Sequence, residues 1–335
     1  MYKNLCLLLL CLIGTTIHAQ NYEKVDSYAR SIKRAGRNSE KIAKKLTEPF
    51  ELETEKARAI FIWITENIAY DCKLYHEVMK RKPLKITGKT EAEVASIINN
   101  MRLKRIRRAM AKGKGVCQEY SELFQQMCQY VGIKAEFITG FTKSSPHKIG
   151  LKVKKSDHAW NAVYLDEKWY LLDATWAAGN TDDKVTKFHK KYTEAYYLTD
   201  PATFLLSHFP DDPKWLLIDT TITLDSFQLF PLTFLGVYEA ELQDFHPKEG
   251  IIPYVDGGSV RFQLAFKDNN LIENVLLIEG KDKVVGQFVF DGDFFELDYD
   301  LSGKNQRVLT LVIDYLYEGQ KATSRLLAYK VKTVK

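Results

Sequence analysis

Between Thr54 and Ile68 the apolar residues Ala57, Ile60, Phe61, Ile64 and Ile68 fall three or four apart, the spacing of one buried helix face. A shorter helix precedes it, capped by Ser39, running through Leu46 and stopped by Pro49, and the helical period holds from Asn21 to about Asn67. The turn Gly113-Lys114-Gly115-Val116-Cys117 then runs into a helix with Tyr120, Leu123, Phe124, Met127, Cys128 and Val131 on one stripe. After that the period changes to two. Asp157 to Tyr164 reads as a strand with His158, Trp160, Ala162 and Tyr164 on one face, Asp166-Glu167 as a turn, and Trp169 to Asp173 as the returning strand. From Thr220 onward the chain is almost all strand: Val260 to Phe266 alternates, and Asn269-Asn270, Asp291-Gly292 and Ser302-Gly303 mark turns.

This order of elements predicts an α+β fold in two domains. Residues 20–219 hold N-terminal helices and an antiparallel sheet, and residues 220–335 form a C-terminal β-sandwich of Ig-like type, with the boundary near Asp219. A length of 335 residues agrees with about two domains. A hydrophobic fraction of 45% and a charged fraction of 27% exclude a disordered, collagen-like or coiled-coil chain.

Charge matters locally rather than globally. The net +5 is too mild to imply nucleic acid, yet residues 80–114 carry twelve Lys or Arg against Glu91 and Glu93. This basic insertion reads as a solvated helical face, or as a docking patch for an anionic envelope surface. It has no aromatic residues, which disfavours single-stranded nucleic acid. At the N-terminus Lys3, the apolar run Leu5 to Ile13 and Ala19 form a secretory signal peptide over residues 1–19, cleaved after Ala19. The expected location is secreted or periplasmic, with no transmembrane span in the mature chain. Beyond that leader three cysteines remain, Cys72, Cys117 and Cys128, so at least one thiol is left over in an oxidising compartment.

Cys117 is the thiol that the pattern singles out. It opens a helix, where unpaired amides and the helix dipole favour a thiolate. Cys128 lies about three turns further along the same face, too far for a disulfide, and reads as core. If a two- or four-residue loop closes the 157–173 hairpin, Trp160 faces Asp173 and His158 faces Thr175. Asp173 then lies diagonal to His158 on the same face, within about 7–8 Å at the backbone. A one-residue slip would separate them onto opposite faces. Cysteine, histidine and aspartate on convergent elements suit a nucleophile, a proton carrier and the acid that orients it. Without a CxxC pair a zinc site is disfavoured, and neither metal nor cofactor is expected.

Three segments carry a resemblance. Gly115-Val-Cys117, Asp157-His158-Ala-Trp160-Asn161 and Leu172-Asp173-Ala-Thr175-Trp176 resemble the core motifs of the transglutaminase-like superfamily, which is related in fold to papain-type cysteine proteases. Lys56 to Trp63 with Asn67 to Asp71 resembles the segment before that core. Tyr196 to Pro201 and His208 to Asp211, with Trp215 nearby, are similar to the kyphoscoliosis-peptidase-type branch. The resemblance covers roughly residues 21–218 and implies Cys117 as nucleophile, His158 as base and Asp173 as orienting acid. An oxyanion hole would use the Cys117 N–H and a second donor, for which Gln118 and Trp63 are candidates.

The expected activity is acyl transfer on the amide bonds of a peptide or protein, with hydrolysis favoured over crosslinking. Trp160, Trp169 and Trp176 are candidates for aromatic walls that would shield an acyl-enzyme. The alternatives are an idle scaffold that binds peptide or envelope polymer, and an adaptor that works through the basic stretch.

Overall fold

The computed structural model describes residues 22–333 apart from 35, 82–83, 281–282, 304 and 318, so the leader at residues 1–19 lies outside the described residues. Six helices build the first part: α1 (Glu23–Ser31), α2 (Ser39–Thr47), α3 (Glu53–Asn67), α4 (Cys72–Lys80), α5 (Glu91–Lys112) and α6 (Cys117–Tyr130). Asn38 rather than Ser39 caps α2, its side chain accepting from the Lys41 amide at 2.9 Å. α3 is buried all round, because Ala59, Ile62 and Trp63 are as enclosed as the predicted stripe. It is the central helix of the core.

The basic stretch resolves into two kinds of residue. Arg108, Arg105 and Arg102 recur every third position of α5 and turn toward α6. There Arg108 pairs with Glu119, Arg105 with Glu122, and Arg102 binds Gln126 at 2.6 Å. These arginines clamp one helix to another and are not free for an anionic surface, which corrects that part of the docking expectation. Lys80, Lys85, Lys89, Lys104, Arg107, Lys112 and Lys114 remain exposed. Glu119 also folds back on the start of its own helix, accepting from the Val116 amide at 2.9 Å. Gly115 permits this, since a β-carbon there would lie 2.7 Å from Glu119 Cβ.

α6 packs against an antiparallel sheet whose strands run Lys168–Leu172, His158–Leu165, Ala135–Thr142 and His208–Pro210 in spatial order. Buried Asn161 stitches helix to sheet, its amide donating to Ser121 O at 3.0 Å and Glu136 O at 2.9 Å. The hairpin loop is two residues, Asp166 and Glu167, both at positive φ, as a type I′ turn demands. Asn161 opposes Leu172 and Leu165 opposes Lys168, the register the two-residue loop implies.

Gly140 sets the approach of the last strand. It pairs with His158 on one side and Pro210 on the other, and a β-carbon there would lie 2.2 Å from Phe209 O and 2.4 Å from the Trp160 ring. We expect Gly140→Ala to force the strands apart and cost about 1–3 kcal/mol in urea unfolding. An unchanged midpoint would show that the sheet opens without strain.

Beyond residue 220 a short helix Leu224–Leu229, a two-residue strand Leu232–Thr233 that pairs with Gln320–Lys332, and a second short helix Gly236–Glu239 come before the main strands, where the sequence pattern reads almost all strand. One sheet then orders Leu242–His246, Ser259–Phe266, Phe295–Asp300 and Val289–Phe290. The other orders Ile251–Pro253, Gln320–Lys332, Gln306–Tyr317, Ile272–Glu279 and Lys283–Gln287. Phe262 and Leu264 of the first sheet share one core with Leu309, Leu311 and Tyr329 of the second. No described helix is long and apolar enough to cross a membrane.

Candidate functional site

Cys117 is the first residue of α6 and is half-buried. A two-residue parallel pairing, Ala69 with Lys114 and Tyr70 with Gly115, sets the end of α3 beside it. Tyr70 and Tyr75 lie close enough to Cys117 for its charge to raise their own proton affinity, although burial is the larger cause for both. The Tyr70 ring stands 6.2 Å from that of Tyr75 and 6.5 Å from that of Phe188. The other two cysteines stand apart from this role. Cys128 is fully enclosed, with burial pushing its thiol well up, and Cys72 is likewise raised, chiefly by burial and then by Asp182.

Asp173 ends the hairpin rather than continuing it. The ladder stops at Leu172, and Asp173 caps the short helix Ala174–Ala178, with Oδ1 accepting from the Thr175 amide at 2.7 Å and the Trp176 amide at 3.1 Å. Its other oxygen, Oδ2, meets His158 Nε2 at 2.6 Å. The carboxylate is completely enclosed. Burial alone would raise its pKa, but the imidazoles of His158 and His208 outweigh that and hold it well below the usual carboxylate range.

His158 responds in the opposite sense. Burial opposes its protonation, yet Asp173 on one side and Cys117 on the other push it up to about 10. Because Nε2 is taken by Asp173, the ring nitrogen left for the thiol is Nδ1. An imidazole so placed can exchange a proton with the thiol while a buried carboxylate fixes its tautomer.

A second histidine completes the cluster. His208 is fully buried and its Nε2 lies 3.2 Å from the same Asp173 Oδ2. Its ring stacks on Phe204 at 4.1 Å and meets Trp176 at 4.5 Å. Burial is the main cause that lowers His208, to about 4, so it is neutral at pH 7. His158, Asp173 and His208 bring their ligand atoms within 4.8 Å of one another. A tetrahedral zinc would hold two such atoms about 3.4 Å apart, whereas Nε2 of His158 and Oδ2 are at 2.6 Å. The spacing is that of hydrogen bonds, and the group reads as a proton network.

Several expected contributors sit elsewhere. Trp160 and Trp176 flank His158, with ring centres 6.2 and 5.6 Å away. Trp169 instead packs at the far end of the hairpin on Tyr164 and Trp215. Trp63 is buried and donates its indole N–H to Ile32 O at 2.8 Å, and Gln118 donates to Glu122 at 3.0 Å. Trp63 is therefore no oxyanion donor.

Residues 40–174 match the transglutaminase-like superfamily. The chain is 30% identical to the human Kyphoscoliosis peptidase over 243 residues, which is 72% of this chain and 33% of that protein. The chain carries a transglutaminase-like domain. The mouse Kyphoscoliosis peptidase is also 30% identical, over 238 residues, and covers 70% of this chain. The Lim and transglutaminase domain protein ltd-1 of Caenorhabditis elegans is 27% identical over 46% of this chain and 23% of its own length. A solved structure described as a TGase covers 55% of this chain at 14% identity with a TM-score of 0.29. The chain spans about a third of the length of the human and mouse relatives it matches. Members of this superfamily are usually cysteine-dependent enzymes, and the α+β architecture above is that of a transglutaminase-like fold followed by a strand-rich region.

Proposed function

We propose that this chain is an exported thiol enzyme of the transglutaminase-like superfamily that cleaves amide bonds in peptides or proteins. The observation that carries the reading is the 2.6 Å bond from His158 Nε2 to buried Asp173, which leaves Nδ1 for Cys117. The Cys117 sulfur attacks the acyl carbon, and the oxyanion forms beside the N–H groups at the start of α6. His158 delivers its proton to the leaving nitrogen as the C–N bond breaks, giving a thioester. A water then attacks that thioester, His158 takes its proton, and the thiolate leaves. Export rests on the charged and apolar leader ending at Ala19.

The test is the iodoacetamide alkylation rate of Cys117 between pH 5 and 9, with Cys72 and Cys128 replaced by serine, in the presence and absence of His158→Ala. Rapid alkylation near pH 6 that drops at least roughly ten-fold in His158→Ala supports the activated pair. A slow thiol indifferent to His158 overturns the enzyme reading and favours a scaffold that binds without reacting. Incorporation of a fluorescent primary amine into a glutamine peptide, in preference to its hydrolysis, would overturn the choice of water as acceptor.

A further inference from the structure

His208 belongs to none of the three resembling core motifs, yet it is buried and hydrogen-bonded at both ring nitrogens. A carboxylate can only accept, so the two imidazoles that share Asp173 Oδ2 each present Nε2–H to it. On the far side of the ring, His208 Nδ1 meets Ser207 Oγ at 2.7 Å, and Ser207 Oγ meets the Tyr238 hydroxyl at 2.7 Å. With His208 neutral, donation runs one way: Tyr238 O–H to Ser207, Ser207 O–H to His208 Nδ1, His208 Nε2–H to Asp173. Tyr238 lies in the helix Gly236–Glu239, next to Val237 of the C-terminal core, and its ring packs 5.0 Å from Tyr196.

We propose that His208 is a positioning residue for the His158–Asp173 pair: as the neutral Nε2–H tautomer it takes a share of Asp173 Oδ2 and, through Ser207, ties that carboxylate to Tyr238 at the entry to the C-terminal strand-rich region. The proposal rests on the reading of His158 and Asp173 as an acting pair. Two consequences follow from the geometry. The second donor spreads the carboxylate's charge over two imidazoles, so Asp173 supports the His158 imidazolium less strongly than an unshared carboxylate would. The C-terminal region also becomes part of the site's frame, since it supplies the hydroxyl at the end of the chain. The titratable groups facing His208 are Asp173, His158, Tyr196 and Tyr238, with Asp157 acting from further off and itself paired to Lys148.

Ring-nitrogen NMR of the mature chain labelled with 15N-histidine tests this without any substrate. The expected result is one ring, assigned by its loss in His208→Phe, that shows Nε2–H and a bare Nδ1 from pH 5.5 to 8. In His208→Phe the pH at which His158 gives up its proton should rise by about one unit, because one hydrogen bond to the charged carboxylate is gone. His208→Gln, whose amide can replace the Nε2–H donor, should return it toward the starting value. Tyr238→Phe leaves all ring packing in place and should produce a smaller rise in the same sense. A protonated His208, or an Nδ1–H tautomer, at pH 7 would overturn the proposal. So would a His158 titration that stays put in both His208→Phe and Tyr238→Phe. The tautomer spectrum is independent of thiol reactivity: the expected spectrum with an inert Cys117 would sink the enzyme reading while leaving the shared carboxylate standing.

Discussion

Asp173→Asn is expected to reduce turnover of an amide substrate by about 10³–10⁴ while keeping the helix cap, with His208 as well as His158 then facing a donor at the Oδ2 position. Asparagine keeps an oxygen to accept from the Thr175 and Trp176 amides, so the cap on the short helix survives. What it presents to His158 is an N–H₂ group in place of Oδ2. Two donors cannot face each other, so the imidazole must put its proton on Nδ1 and offer Nε2 as the acceptor. The nitrogen facing Cys117 then has no lone pair for the thiol proton. The carboxylate that raises His158 most among its neighbours is also gone, so the imidazolium loses its support. Asp173 and Cys117 together push His158 up to about 10 against burial, and without the carboxylate the ring should be neutral well below that. Even before a substrate is found, iodoacetamide alkylation of Cys117 at pH 6 should slow by roughly ten- to a hundred-fold. Asp173→Ala serves as the contrast, since it also removes the cap and should lower stability by about 1 kcal/mol. An Asn variant with the parent rate would mean that the 2.6 Å bond does not set the tautomer.

The parts of this arrangement that follow from local rules were legible in the chain. A turn at Asp166-Glu167 closed by either two or four residues gives one register, and that register brings the end of the returning strand to His158. Cys117 at a helix start is equally local, because glycines on both sides of Lys114 precede an apolar stripe. His208 is different in kind. It lies 35 residues beyond Asp173 on a strand of three residues, and it arrives only because Gly140 has no side chain to hold that strand away. Nothing in periodicity announces such an approach. The arginines of α5 are an intermediate case. Arg102, Arg105 and Arg108 sit three apart, as Glu119, Glu122 and Gln125 do, and the two sets pair in antiparallel order. That matching is visible in the sequence once helices are paired, but a tally of charge over the stretch conceals it. Tyr238 was beyond reach, since strand propensity after residue 220 hides the short helix that carries it.

The other large effect is expected at Arg58, far from the thiol but tied to its frame. Arg58 is 3% exposed. Its Nε and Nη2 each donate at 2.7 Å to the two oxygens of Asp26 in α1, and Nη1 and Nη2 reach Glu194. The guanidinium also lies 4.6 Å from the centre of the Tyr197 ring and 4.9 Å from that of Tyr22. Burial opposes the charge, but Asp26 and Glu194 more than compensate and hold Arg58 firmly protonated. One side chain thus joins α1, α3 and the turn at Glu194, two residues before the Tyr196 carbonyl that accepts the Asp173 amide at 2.9 Å. Arg58→Met keeps much of the volume and removes the charge, which leaves Asp26 enclosed with only Arg30, 3.7 Å from Oδ2, as a cationic neighbour. Losing the main partner of a buried carboxylate costs about 3–5 kcal/mol, less whatever the longer Arg30 pair retains. Arg58→Lys should fall between, since a single ammonium cannot serve both carboxylates in the same plane. Urea unfolding of the three proteins measures the order, and a loss below about 1 kcal/mol in Arg58→Met would show that Arg30 or water takes over at Asp26. The decisive contrast adds Asp26→Leu to Arg58→Met. If the double variant regains most of the stability, the loss came from the stranded carboxylate. If it does not, the guanidinium's packing between Tyr22 and Tyr197 is what held the three elements together.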